Sequence, residues 1–283
     1  MCFSKFNFWV VSLMGTVIFY SCDDDGGENI NDTPGIVEIR FENIVGNGVN
    51  LSLDDVGSTD YKYSNSMEQD FNVTVLKYMV SEIVLEGPNG EYFADELLVT
   101  ADDVRGYYMI NQADVSSMVI HLEDVPAGTY NQLSFKIGVD EDGVEEGAAG
   151  GVLSQGAGPL DEDMFWSWNA GYMCLKIEGQ SPANETGQAV GESISDTDPY
   201  GFAFHIGGWG TPNNNKDVSI DTDNVTVNGA EQPEIHLVMD VLELLSNPTA
   251  VDFSLTFNIH SPASGENIAN NIPNAVKFDH IHQ

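Results

Sequence analysis

The chain has 283 residues, enough for one large all-β domain with a sizeable core. It carries 45 Asp and Glu against 9 Lys and Arg, a formal net charge of -36, which excludes nucleic acid and an anionic lipid surface as partners. Cations are the natural counterparts of such a chain, and on an exported surface the same acidity serves solubility.

Residues 1–21 read as a targeting segment. Lys5 supplies a positive start, and Phe8 to Tyr20 is an apolar run of signal-peptide length, too short to span a bilayer. Ser21-Cys22 followed by three aspartates resembles a bacterial lipoprotein signal, in which Cys22 is acylated. The protein is therefore expected to be lipid-anchored to the bacterial envelope, at the outer membrane, with either a periplasmic or a surface face. Residues 22–35 are acidic and Gly-rich and read as a flexible tether. With Cys2 in the signal and Cys22 lipidated, only Cys174 remains, so no internal disulfide is expected.

Residues 36–283 read as a single domain. Val37, Ile39 and Phe41 alternate with polar residues, and so do Val49, Leu51 and Leu53 beyond Gly46-Asn47-Gly48, predicting strand, turn, strand. Phe71 to Leu85 is long and β-branched, and Gly87-Pro88-Asn89-Gly90 ends it in a turn with a hairpin partner near Tyr92. Tyr107 to Asn111, then Met118, Ile120 and Leu122, then Leu133, Phe135 and Ile137 predict three more strands. Asp140 to Leu160 is a long loop that leads into MFWSWNAGYMCLKIEG, Met164 to Gly179. There Cys174 is expected to share a face with Tyr172.

Phe202, Phe204 and Ile206 form one face of a strand with His205 on the other, closed by Gly207-Gly208. Val225 and Val227, then Ile235, Leu237 and Met239, predict two strands, the second running into a short helix over Val241 to Leu245. Phe253, Leu255, Phe257 and Ile259 alternate as another strand, and a further short helix is expected near Glu266 to Asn271. Strands at short spacing without amphipathic helices between them predict an all-β fold, an antiparallel β-sandwich with long loops and one or two short helices.

The side chains that could carry chemistry are histidines. On a strand His280 and His282 share a face and can offer two imidazoles to one ion. His205 precedes two glycines that permit close backbone approach. His121 and His236, lying mid-strand, read as ordinary outward residues. The acidic run Asp140, Asp142, Glu145, Glu146 lacks ordered calcium-loop spacing and reads as a solvated loop. No G-x-S-x-G, H-E-x-x-H or phosphate-binding loop occurs, so the expected role is binding and not catalysis.

KYMVSEIVL at Lys77 to Leu85, VPAGTYNQLSFKIGVD at Val125 to Asp140, the Met164 to Gly179 stretch, FAFHIGG at Phe202 to Gly208 and the closing DHIHQ together resemble the MbnP-like copper-binding domain of exported bacterial proteins. The resemblance implies a β-rich domain that binds copper outside the cytoplasm, as a chaperone, store or sequestration protein, with His205, His280 and His282 as the matching ligands. It also implies a dihaem cytochrome c peroxidase-like partner, which in relatives oxidises a tryptophan to kynurenine. Trp166 and Trp168 match the aromatic motif, either as the wall of the metal site or as the modified residue. The competing reading is a surface adhesin or glycan-binding module in which Trp166, Trp168 and Trp209 form an aromatic platform without metal. A third is a domain that keeps the fold without the metal.

Overall fold

The computed structural model describes residues 33–100, 102–139, 151–154, 158–166, 171–185, 200–208 and 212–283. Cys22, the targeting segment, most of the tether, the acidic run from Asp140, Trp168 and Trp209 lie outside the described residues. Ten strands carry the architecture: β1 Gly35–Ile44, β2 Asp70–Glu86, β3 Tyr107–Asn111, β4 Val119–Val125, β5 Gly128–Ile137, β6 Gly171–Gln180, β7 Gly201–Gly207, β8 Lys216–Val227, β9 Glu234–Asp240 and β10 Val276–His282. Three short helices, α1 Val241–Leu244, α2 Pro262–Ala269 and α3 Ile272–Ala275, lie between β9 and β10. The fold is an all-β sandwich.

The smaller sheet has the order β10-β9-β1-β4, and the larger sheet is built on β8-β5-β2-β6-β7 with short strands added at its margins. Most pairings are antiparallel, but β1 and β9 run parallel, as do β7 and the two-residue strand Asn258–Ile259. Strict alternation in β1 explains the packing: Val37, Ile39 and Phe41 are buried, and the residues between them are not fully buried. The Phe41 ring meets Tyr78 of β2 at 5.8 Å and Phe135 of β5 at 5.7 Å, both edge to face, so one core joins the two sheets.

The larger sheet is covered on its other side as well. Strands β6 and β7 are buried along their whole length, and so is most of β2. A second apolar cluster containing Met79, Leu153, Leu160, Met164, Trp166 and Tyr172 covers part of that side. Helix α2 packs on β7, with Gly265 seated against Ile206.

Several predicted elements are relocated. The turn at Gly46, Asn47 and Gly48 forms with all three residues at positive φ, but beyond it only a single bridge, Ile44 to Asn50, replaces the expected strand. Phe253 to Phe257 does not extend as a strand. The Asp252 carboxylate accepts from the backbone and hydroxyl of Ser254 and its carbonyl accepts from Leu255 and Thr256, so the chain turns and Leu255 stands 78% exposed. Cys174 does not share the face of Tyr172. A bulge between Met173 and Leu175 shifts the register, sending Tyr172 into the second cluster and Cys174 into the main core. The predicted helices are present, the second beginning earlier, at Pro262, where proline suits the first turn.

A candidate metal centre on the smaller sheet

In β9 the alternation buries Ile235, Leu237 and Met239 in the core, which leaves Glu234, His236 and Val238 on the outer face. Register then decides the rest: Glu234 pairs with His282 and His236 pairs with His280 on β10, while Glu38 and Arg40 of β1 occupy the other flank. A bulge in this pairing, between His236 and Leu237, accommodates Asp279 as the extra residue beside His280. His236, His280 and His282 each bring a ring nitrogen to within 4.8 Å of the others.

The rings are closely placed. His280 stacks on His236 at 4.1 Å, and His282 stands edge-on to both, at 4.8 Å from His236 and 4.7 Å from His280. Nε2 of His280 and Nε2 of His282 are 3.0 Å apart. His236 is 6% exposed, whereas the His280 side chain is 45% exposed, so the group opens to solvent from one side.

Carboxylates orient the imidazoles. Nε2 of His236 donates to Glu234 Oε1 at 2.5 Å, and Nδ1 of His280 donates to Asp279 Oδ2 at 2.8 Å. Arg40 Nη2 donates to Glu234 Oε2 at 2.7 Å, and this bond is the main reason the Glu234 carboxyl titrates at about 2, with His236 adding to the effect. Glu234 is thus an acceptor at neutral pH. Nδ1 of His236 is buried without a hydrogen bond, with Glu42 Oε1 3.6 Å away. Imidazoles backed by carboxylates, one of them with an unsatisfied buried nitrogen, are the donor set a transition-metal ion requires.

The predicted pair His280 and His282 is therefore joined by His236, the residue expected to be an ordinary outward histidine. Its signal, an outward position in register with a terminal His-x-His, exists only once β9 and β10 are paired. His121 is exposed on β4, with Nδ1 3.1 Å from Glu38 Oε1.

His205 does not join this group. It lies on β7 of the larger sheet, in a cross-strand row with Lys176 and Lys77. Its Nε2 is 2.7 Å from Oε1 of the fully buried Glu178, and its ring meets His260 edge-on at 4.3 Å. Lys176 pairs with Asp163 and approaches Glu178 at 3.7 Å, and Lys77 reaches Asp161 at 2.7 Å. The glycines after His205 do permit close approach, since a Cβ on Gly207 would collide with the backbone of Tyr172 and Met173. Trp166 is 6% exposed and packs in the second cluster of the larger sheet, so it does not wall the three-histidine group on the other sheet.

These features define an all-β sandwich protein with a histidine cluster on the outer face of its four-stranded sheet. The chain belongs to the MbnP family, whose model matches residues 34–261. That span contains His205 and His236 and ends before His280 and His282. Among solved structures, MbnP from Methylosinus trichosporium is similar at 14% identity, covering 77% of this chain and 79% of that chain with a TM-score of 0.47. No curated protein matches the chain.

Proposed function

We propose that this protein is an exported copper-binding lipoprotein that holds the ion through histidine and acts as a chaperone, store or sequestration protein, without catalysis. The observation that carries the reading is the convergence of His236, His280 and His282, with Glu234 and Asp279 behind them. Membership of the MbnP family and the strong negative charge, which draws cations, agree with it. Attachment to the envelope through Cys22 belongs to the same reading. So does the dihaem cytochrome c peroxidase-like partner, which depends on one tryptophan of the Met164 to Gly179 stretch being its substrate.

Titration of the mature protein with copper at neutral pH tests it. One equivalent is expected to bind, and the triple variant His236→Ala/His280→Ala/His282→Ala is expected to lose that equivalent while retaining its fold by circular dichroism. An unchanged stoichiometry in the variant removes the site from the proposal. The adhesin reading gains nothing from Trp166, whose indole is buried and offers no platform.

A further inference from the structure

We infer that Lys176 and Asp163 become joined by an amide bond that the chain forms on itself, with Glu178 moving the protons. The three side chains belong to the charged row on the outer side of the larger sheet, and the inference is independent of the copper reading. Lys176 Nζ is in contact with Asp163 Oδ2 and lies 3.7 Å from Glu178 Oε1. The lysine side chain is 1% exposed and the glutamate is fully buried, a depth that neither residue type ordinarily reaches.

The local sequence builds this arrangement. Beyond the bulge in β6, Leu175 and Ile177 enter the main core, so Lys176 and Glu178 share the opposite face. On that face Lys77 of β2 stands directly across from Lys176, and His205 of β7 flanks it on the other side. Asp163 arrives from outside the sheet, on the short turn Glu162–Met164. Its segment is held down by the pairing of Asp161 with Lys77 at 2.7 Å and by the burial of Met164 and Trp166 in the second cluster. The Asp163 carboxylate therefore lies between two amines, with Oδ2 on Lys176 and Oδ1 3.7 Å from Lys77.

An amine attacks a carboxyl group only as the free base. Burial of Lys176 and a like charge directly opposite it both disfavour its ammonium form, and Glu178 is placed to take the proton. His205 Nε2, 2.7 Å from the same Glu178 oxygen, keeps that carboxyl in position. Nζ then bonds to Cγ of Asp163, one C–O bond breaks, and the oxygen leaves as water. Of the three ammonium protons one stays on the amide nitrogen, and Glu178 passes the other two to the departing oxygen and ends as it began. Ammonium and carboxylate thus become amide and one water, with no oxidant or cofactor.

The product suits the site. Two charges disappear from a place where charge is costly, and folding has already brought the reacting groups into contact. The Asp163 side chain is 30% exposed, which gives the released water a way out. Among the described residues Cys174 is the one cysteine, so no disulfide ties this segment to the sheet. An amide between Asp163 and Lys176 fastens the turn before Trp166 onto β6 independently of redox conditions.

The test is cleavage of the purified, denatured protein with cyanogen bromide, which cuts after Met118, Met164, Met173 and Met239 and so separates residues 119–164, with Asp163, from residues 174–239, with Lys176. Mass spectrometry is expected to find these two fragments joined and lighter than their sum by one water, and trypsin should fail to cut after Lys176. Asp163→Ala and Lys176→Arg should each release the fragments separately. Glu178→Gln, with its fold checked by circular dichroism, should slow the joining by at least ~100-fold.

Separate fragments from the unaltered protein overturn the inference and leave the copper reading untouched. Residues 119–164 joined instead to residues 68–79 would place the bond on Lys77 and overturn the assignment to Lys176. Joining in Glu178→Gln at the unaltered rate overturns the role given to Glu178.

Discussion

His236 and His280 stack face to face across β9 and β10, with ring centroids 4.1 Å apart and planes inclined by 23°. Two imidazoles at that distance, each with a carboxylate on one nitrogen, are held in place before any ion arrives. Preorganisation of this kind spares the binding step the ordering of its ligands.

His236→Ala is expected to lower copper affinity by at least ~10-fold, as much as His280→Ala does. His121→Ala, on the same face but at its far edge and paired with Glu38, should change it by less than about twofold. Competition titrations on the three variants check the contrast.

Asp279→Asn keeps the side-chain shape but replaces a charged acceptor of the His280 Nδ1 proton by a neutral one. Outer carboxylates of this sort are typically worth 10–100-fold in metal affinity, so a loss of about 10-fold is expected. The melting temperature of the metal-free protein should stay within a few degrees, because Asp279 is exposed.

Cys174 supplies a pH signature. Burial, the dominant cause, pushes its thiol from 9.0 up to about 12. A folded-state pKa raised in this way leaves stability undiminished below pH 9 and erodes it as the pH climbs from 9 toward 12, where the unfolded thiol ionises and the folded one does not. Urea midpoints measured over that range should fall less steeply in Cys174→Ala. At pH 8 a thiol reagent should label Cys174 only after unfolding.

Phe41→Ala is expected to destabilise by about 3–5 kcal/mol, since the ring is 1% exposed and joins β1 of the smaller sheet to β2 and β5 of the larger one through Tyr78 and Phe135. Equilibrium urea denaturation measures the loss. A value below about 1 kcal/mol would mean that the two sheets are held together elsewhere.

Glu178→Ala is expected to cost about 3–5 kcal/mol, because it strips a buried carboxylate from His205 and Lys176. Its effect on metal affinity at the outer face should be within about twofold. A large change in affinity would bring His205 into the metal site.

Strand β1 was legible because its apolar residues alternate, since burial of one face imposes a period of two, and β2, buried on both faces, because it is a long β-branched run. That His280 and His282 share a face was legible from their spacing of two, and the closing of β7 was legible from its paired glycines. His236 was not, because a single histidine on an outward position carries no mark of its neighbours until the sheet order β10-β9-β1 is known. The parallel pairing of β1 with β9 joins segments remote in sequence and has no local signature. Bulges defeat the period where they occur, at Met173 and at Asp279, by turning a strand over within one residue. The segment from Phe253 to Phe257 fails for the opposite reason: its apolar alternation is genuine, and the Asp252 side chain overrides it.

Strand β10 lies at the edge of the smaller sheet, where among the described strands it pairs with β9, and it carries two of the three imidazoles. An ion shared with His236 would therefore act as a rivet through the outermost strand, adding a cross-link where the ladder is one-sided. Cargo and architecture become the same variable: the amides of β10 should exchange with deuterium more slowly in the loaded protein, and a protein stripped of its ion should unzip from that edge first.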